Sequence, residues 1–458
     1  MSKTQPARGM RDFLPADVRK REYVIKIIKE VYESYGFEPL ETPSVENLET
    51  LTGKYGEEGS QLIFKILKRG EKLDLSQGEK GLSDLALRYD LTVPLARVVA
   101  NYKNDLPKFF KRYQIQPVWR ADRPAKGRYR EFYQCDVDAI GSKSMLVEAE
   151  LISAVSEILR RLGFEDFEIQ INHRKVLTGI LNAANVPIEK HVETLITLDK
   201  LDKIGMKAII SELIQKGISP DSADKLAFVT KLDKVTQPDN ESIFLDWEND
   251  IEQLLKNKPE QLQEFREGKD ELRSILNLEA TNQELSNVKL NPYLARGLSY
   301  YTGAIMEVVL TKGDFSGSIA GGGRYDGLIG MFGKEQIPAC GVSIGLERII
   351  VVMEERGMFP EDLLDAAADV MVTIWDEDSA GESLKLAGEL RQQGLRVLVY
   401  PEADKLGKQF KYASQINVSF VCVLGDEELK ENKVTLKNMR SGEQETVSRE
   451  GIKEKIKT

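Results

Sequence analysis

The sequence is poor in the residues that most directly announce metal, disulfide or hydrolytic chemistry. Its 458 residues include only two histidines, His173 and His191, and three cysteines, Cys135, Cys340 and Cys422. The histidines form no HExxH or similar pair, so zinc hydrolysis and histidine-based triads lack support. The cysteines are isolated and odd in number, without a CxxC pair, which argues against a disulfide framework or structural zinc and fits a reducing compartment. No Gly-Lys pair is followed by Ser or Thr, so there is no P-loop, and any ATP must be held another way. The longest apolar stretches, such as Ile349 to Met353, fall far short of the roughly 18 residues that a membrane helix needs. Met1 to Leu14 mixes Lys3, Arg8, Arg11 and Asp12 with no apolar core, so it does not read as a secretory signal, and the expected location is cytoplasmic. An excess of positive charge is missing too: the net charge is −10, which argues against a uniformly basic coat for nucleic acid.

The chain is long enough for two or three domains, each with its own core. Its 41% hydrophobic and 30% charged residues are those of an ordinary globular protein and exclude a mainly disordered or collagen-like chain. One basic cluster stands out, with Lys108, Lys111, Arg112, Arg120, Arg123, Lys126, Arg128 and Arg130 opposed only by Asp122. It suits a phosphate-rich ligand, and a solvated charged loop is the plain alternative.

Helical spacing runs from Ala16 to Tyr35 and ends at Gly36. Lys108 to Ala121 and Arg130 to Ile140 read as strands joined through a Pro-Ala-Lys-Gly-Arg turn, a long hairpin with Arg123, Lys126 and Arg128 at its tip. Met145 to Leu162 reads as a helix and Phe167 to Ile171 as a strand. Residues 175–287 carry few strand signals and read as a mostly helical insertion between the two parts of a core, 1–174 and 288–358. Strands return at Ala304 to Leu310, Ser318 to Ala320 and Gly341 to Ile344, the last running into a helix that ends before Gly357. After a linker at 359–368, strands alternate with helices from Val370 to Leu424, which predicts an α/β domain with a mainly parallel sheet over 369–458.

Several segments carry candidate chemistry, each with a bland counterpart. Gly321-Gly322-Gly323 allows close backbone approach to a ligand, or simply a tight turn. Arg348 falls in the first turn of a helix, where a cation opposes the helix dipole and a phosphate contact explains it; chance is the alternative. Arg296, Tyr300 and Tyr301 group a guanidinium with two phenols, suited to a phosphate and a small polar substrate or to a packed core. Asp90 could bind an ammonium or cap a helix starting near Leu91.

Taken in order, these segments resemble the class II aminoacyl-tRNA synthetase core, and specifically the histidyl-tRNA synthetases. Arg8-Gly9-Met10-Arg11-Asp12-Phe13-Leu14-Pro15 resembles the family's opening. Phe110 to Arg120 with Arg130 to Asp138 resembles motif 2, and Gly345-Leu346-Glu347-Arg348 resembles motif 3. Arg296 to Tyr301 and Gly322 to Gly327 resemble the two histidine-specific signatures. The resemblance implies an antiparallel sheet flanked by helices in a mixed α/β chain, a homodimer, a C-terminal α/β anticodon-binding domain, and the ATP-dependent joining of histidine to its tRNA. It implies that Arg120 and Arg296 hold the ATP α-phosphate and the histidine carboxylate as the catalytic cations. Arg128, Phe132 and Arg348 are then expected at the nucleotide, with Mg²⁺ bridging its phosphates through ligands the sequence does not identify. Asp90, Thr92 and Gln134 are expected at the substrate ammonium, and Asp138, Tyr300 and Tyr301 at the imidazole. Arg123 and Lys126 are implied at the tRNA acceptor end, and Lys405, Lys408 and Lys411 on the anticodon side.

Two positions depart from the family pattern: Ser299 stands where Asp is common, and Asp122 where Glu is more usual. The rival readings are a synthetase-like regulatory subunit of ATP phosphoribosyltransferase, expected to lack the last domain and to lose signature residues, and a synthetase-derived interaction module without catalysis.

Overall fold

The computed structural model describes all residues except 1–3, 53–60, 230–238, 281–286, 296–299, 314, 316, 334, 361–362, 364–367 and 458. The chain divides into two compact units, 1–358 and 359–458.

The first unit is organised by an eight-stranded sheet. Its strands are β1 (Glu38–Pro39), β5 (Phe110–Trp119), β6 (Glu131–Ile140), β7 (Phe167–His173), β8 (Val288–Leu290), β9 (Ala304–Leu310), β10 (Ser318–Arg324) and β11 (Ala339–Gly345), in the order β1-β5-β6-β11-β10-β9-β7-β8. All pairings are antiparallel except β1 with β5 and β7 with β8. A second sheet, which sequence reading missed, joins β2 (Val45–Asn47), β3 (Lys65–Leu67) and β4 (Ser83–Leu87) in the order β2-β4-β3. These strands are too short to show a clear alternation of apolar and polar residues.

The alternation along β6 explains the unit's two-sided design. Cys135, Val137 and Ala139 point to one face and are buried, and the helices Pro15–Ser34, Leu146–Arg161 and Leu346–Glu355 pack there. Tyr32 donates from its hydroxyl to the Cys135 carbonyl at 3.2 Å, tying the first helix to the sheet. Gln134, Asp136 and Asp138 point to the opposite face, because successive strand side chains alternate. The register sets Arg112, Gln114 and Gln116 of β5 beside Asp138, Asp136 and Gln134, with Gly341, Ser343 and Gly345 of β11 on the other side. That face is polar yet largely buried, which a sheet tolerates only where the groups pair or receive a ligand.

Gly321, Gly322 and Gly323 lie inside β10, not in a tight turn. A Cβ on Gly322 would collide with the Gly341 carbonyl, and one on Gly323 with the Ala304 carbonyl, so these glycines let adjacent strands close up. Residues between 174 and 280 form a series of helices, including Arg174–Ala183, Leu201–Gln215 and Pro259–Ala280. The last of these packs against Arg174–Ala183 and Leu146–Arg161.

The second unit holds β12 (Val370–Val372), β13 (Val397–Val399), β14 (Phe420–Val423), β15 (Lys433–Asn438) and β16 (Gln444–Ser448), in the order β13-β12-β14-β15-β16. The first three strands are parallel, as their alternation with the helices Ala380–Gln392 and Leu406–Gln415 requires. The expectation of a mainly parallel sheet is corrected by β15 and β16, which extend it through antiparallel pairings. They join through a short turn and carry lysines, glutamates and threonines that mask the strand period.

Candidate active site

Two cavities open on the polar face of the large sheet. The first, about 230 Å³, is lined by Arg120, Arg128, Phe132, Gln134 and Arg348 together with Asp122, Gly321, Ser343 and Glu347. The second, about 160 Å³, is lined by Asp90, Thr92, Arg120, Gln134, Asp138, Tyr300 and Tyr301 together with Asp136, Tyr325 and Ser343. Arg120, Gln134, Gly321 and Ser343 belong to both, so ligands in the two would touch.

Arg120 leaves the end of β5, where its backbone N donates to the Arg130 carbonyl at 2.9 Å and its Nε to the Tyr89 carbonyl at 3.0 Å. Its guanidinium carbon sits 4.3 Å from the Tyr89 ring centroid and 5.2 Å from that of Phe132, aromatic faces that hold the cation in place. The hairpin beyond it closes through a bridge between Ala125 and Arg128. Arg128 pairs with Asp122 at 2.8 Å, so the Asp122 departure preserves an ion pair at this loop. The Arg8 to Pro15 segment props the same loop: Arg130 N donates to Gly9 O at 2.8 Å, and Arg11 lies 3.5 Å from the Tyr129 ring centroid. Gly9 has φ +85° and stands where a Cβ would be 2.8 Å from Arg130 Cγ, so glycine is required there.

Motif 3 divides its labour. Arg348 faces the first cavity and donates to the Ser318 carbonyl. Glu347 is buried and structural, accepting from Arg21 at 2.8 Å and from the Tyr133 backbone N at 3.0 Å, which locks two helices and β6 together.

In the second cavity Asp90 does two things at once. Its Oδ1 accepts from Val93 N at 3.0 Å at the start of the helix Thr92–Tyr102, and its Oδ2 accepts from the Tyr300 hydroxyl at 3.3 Å. The capping and ligand readings of Asp90 are therefore compatible. Gln134 donates to the Ser343 hydroxyl at 3.0 Å, which aims its amide across β11. Asp138 forms an ion pair with Arg112 at 2.8 Å and accepts a short bond from the Tyr325 hydroxyl. Arg112 is fully buried, so its place in the basic cluster is corrected: it neutralises a carboxylate under the cavity instead of meeting a phosphate. Lys111 likewise pairs with Glu150 at 2.8 Å. Burial raises the pKa of Asp136 to about 7, with Arg112 and a hydrogen bond from the Ser343 side chain pulling down and the charges of Asp138 and Asp90 pushing up. Burial and the same carboxylates push the Tyr301 hydroxyl well up, which keeps it protonated and able to donate.

Arg296 and Ser299 lie outside the described residues. Arg123 and Lys126 are exposed at the hairpin, with Lys126 paired to Glu355. In the second unit Lys405, Lys408 and Lys411 are exposed around the start of the helix Leu406–Gln415, and Lys408 pairs with Asp404 at 2.7 Å. Sequence reading assigned no role to Asp136, Tyr325 or Ser343. The period-two run Gln134, Asp136, Asp138 carried the signal for the first, since a single face must hold all three.

Carboxylates and phenols gathered in a small cavity, opening into a larger one among arginines, suit an amino acid placed against a nucleotide. On this antiparallel sheet, the arrangement is that of an amino-acid-activating enzyme of the class II aminoacyl-tRNA synthetase type. Residues 9–349 match the family model for histidyl-tRNA synthetase, and 369–458 match that for an anticodon binding domain. A histidine–tRNA ligase of Flavobacterium johnsoniae is 41% identical over 99% of both chains, and one of Porphyromonas gingivalis is 42% identical over 97% of both. The crystal structure of a histidyl-tRNA synthetase from Nostoc superposes with a TM-score of 0.80 at 33% identity, covering 100% of this chain and 99% of that one. A structure from Bacillus halodurans titled as an ATP phosphoribosyltransferase regulatory subunit/histidyl-tRNA synthetase shares the fold, with a TM-score of 0.73 at 20% identity over 92% of this chain and 99% of that one. The chain belongs to the histidyl-tRNA synthetase family.

Proposed function

We propose that this chain activates histidine with ATP and transfers it to the 3′ end of tRNA. The observation that carries the reading is the pair of joined cavities sharing Arg120. A histidine in the acidic cavity, with its ammonium toward Asp90, Thr92 and Gln134 and its ring toward Asp138, Tyr300 and Tyr301, would place its carboxylate beside Arg120. ATP among Arg120, Arg128, Phe132 and Arg348 would bring its α-phosphorus to the same point. The histidine carboxylate oxygen attacks that phosphorus in line, the bond to the β-phosphate oxygen breaks, and pyrophosphate leaves. The nucleophile is already an anion, so no protein base is needed. Arg120, with Arg296 implied opposite, stabilises the charge that grows on the phosphoryl oxygens. A ribose hydroxyl of the tRNA then attacks the adenylate carbonyl and AMP departs.

Selectivity follows from pairing, because an amino acid without ring nitrogens would leave buried acceptors and donors unmatched. Mg²⁺ enters as part of the ATP substrate. The two carboxylates at the nucleotide cavity, Asp122 and Glu347, are each engaged by an arginine, which favours ligation by the phosphates themselves. Exposed Arg123 and Lys126 serve the acceptor end, and Lys405, Lys408 and Lys411 the anticodon side. The cytoplasmic assignment is supported by the described helices, none of which is long and apolar enough to cross a membrane. The expected homodimer is supported by exposed apolar side chains such as Leu67 and Leu85 on the three-stranded sheet, and sedimentation tests it. The decisive assay is exchange of labelled pyrophosphate into ATP, with each amino acid in turn. Exchange with histidine alone is expected; absence of exchange from folded protein with Mg²⁺ would overturn the reading in favour of a regulatory role.

A further inference from the structure

We propose that Arg11 and Phe13 are positioning residues for ATP: through a series of cation–ring contacts they hold the loop after β5 in the form that presents Arg128 and Tyr129 to the first cavity. The inference rests on the histidine-activating reading above and extends it to two residues that line neither cavity.

The series runs from the loop to motif 3. Arg11 lies 3.5 Å from the Tyr129 ring centroid and 4.8 Å from that of Phe13. Arg21, on the helix Pro15–Ser34, lies 4.1 Å from the same Phe13 centroid and 4.8 Å from that of Tyr133 on β6. Tyr129, Arg11, Phe13, Arg21 and Tyr133 thus alternate ring and guanidinium, and each cation meets two rings. Arg21 pairs in turn with Glu347 at 2.8 Å, and Glu347 accepts from the Tyr133 backbone N at 3.0 Å. The two ends of the series, Tyr129 and Glu347, line the nucleotide cavity, each next in sequence to an arginine that lines it too, Arg128 and Arg348.

Those ends are not equally anchored. Arg21 and Glu347 are both buried, so the motif 3 end is fixed. At the loop end Arg11, Phe13 and Arg128 are exposed. A hairpin tip at the surface samples several conformations unless it is tied down. One tie within this tip is the pair between Arg128 and Asp122, and it engages the same guanidinium that a phosphate would take. Ties from outside the loop do not compete with the nucleotide. They are the Gly9 carbonyl on Arg130 N at 2.8 Å and the Arg11 guanidinium on the Tyr129 ring.

Phe13 is in contact with both guanidiniums and so joins the free end to the fixed one. Each exposed cation–ring contact shifts the population of the ordered loop by about two- to fivefold. A loop that is ordered only part of the time lowers the apparent affinity for ATP by that fraction. The histidine cavity is lined by neither Arg128 nor Tyr129, so its affinity does not follow.

The test is steady-state pyrophosphate exchange by the full chain, with ATP and histidine varied in turn at fixed Mg²⁺. Phe13→Leu keeps apolar bulk and charge but removes the aromatic face. It is expected to raise KM for ATP about three- to tenfold, to leave KM for histidine within about twofold, and to melt at the parental temperature. Phe13→Trp, which offers a stronger face, should restore the parental KM. Arg11→Gln, at an exposed position, carries the same expectation as Phe13→Leu and replaces it should that variant melt early. Because the contacts act as one series, the double variant should be within about twofold of the worse single one, whereas independent effects multiply. A parental KM for ATP in Phe13→Leu, an equal rise in both KM values, a Phe13→Trp protein no better than Phe13→Leu, or full multiplication in the double variant would overturn the assignment while leaving the histidine-activating reading intact. No histidine-dependent exchange by the parent would sink both.

Discussion

Replacing Asp136 by Asn should make the protein more stable at pH 8, although the residue faces the substrate cavity. The folded-state pKa is about 7, against an ordinary aspartate near 4, a rise of about three units. For an acid whose folded pKa lies above its unfolded value, the native state binds the extra proton between those two values. Stability therefore falls as pH rises through about 4 to 7, and the full penalty persists above 7. At about 1.4 kcal/mol per unit, that penalty is on the order of 4 kcal/mol. An asparagine of the same shape does not titrate and returns only the cost of burying an incompletely bonded amide, roughly 1–3 kcal/mol. The net expectation is a gain of about 1–3 kcal/mol at pH 8 that shrinks by about 1.4 kcal/mol for each unit of pH lowered between 7 and 4. Urea unfolding followed by tryptophan fluorescence reads it. A Trp375→Phe background leaves Trp119 and Trp247, both in the 1–358 unit, as the reporters. A variant less stable than the parent at pH 8, or a difference that stays flat from pH 5 to 8, refutes the reasoning. The expected result is a buried carboxylate in the cavity lining held at the expense of stability.

Other consequences are equally direct. Arg120→Ala should lower histidine-dependent exchange by roughly 100-fold or more, as loss of a fixed charge at a reacting phosphate does, with an unchanged unfolding midpoint; near-normal exchange would remove Arg120 from the chemistry. Glu148→Gln strands Arg324, which the carboxylate grips at 2.6 and 2.8 Å with both side chains buried. It should cost about 3–5 kcal/mol in urea titrations, most of which the paired change Arg324→Met with Glu148→Leu should restore. Glu271 is held down to about pKa 2, chiefly by its bond to His173 and then by Lys175. Its contribution is present above about pH 4.5 and is lost as pH falls toward 2, so Glu271→Gln should cost about 1–2 kcal/mol at pH 7 after solvent screening and nothing near pH 2. Substituting Lys405, Lys408 and Lys411 together by Ala should raise KM for tRNA in aminoacylation while exchange stays at the parental rate; a matching fall in exchange would mean that the fold was harmed instead.

Much of this molecule is legible in one sequence because its long elements obey strong periods. The helix Pro15–Ser34, the hairpin β5-β6 and the alternating β12 to β14 region follow from 3.6-residue and two-residue spacing and from turn residues between them. The candidate substrate residues were also legible, since they fall in contiguous motifs, and those within the described residues line the two cavities. Short or interrupted signals were lost. The strands at 45–47 and 65–67 hold three residues each, too few for a period, and β15 and β16 bury only part of one face.

What the sequence determined by itself is therefore the set of elements and the inventory of charged side chains offered to a ligand. Which of those charges a ligand would meet was decided by tertiary structure. Arg112 and Arg120 are eight residues apart on one basic stretch, yet strand register sets the first beneath the cavity against Asp138 and leaves the second at the junction of two cavities. Asp136 and Asp138 share a face and a residue type, and only tertiary structure gives them different surroundings: Arg112 and Tyr325 engage Asp138, whereas Asp136 stands between Gln114 and Ser343. Charge is a property of the chain, but its solvation and pairing belong to the fold, because both depend on groups brought together from distant parts of the sequence.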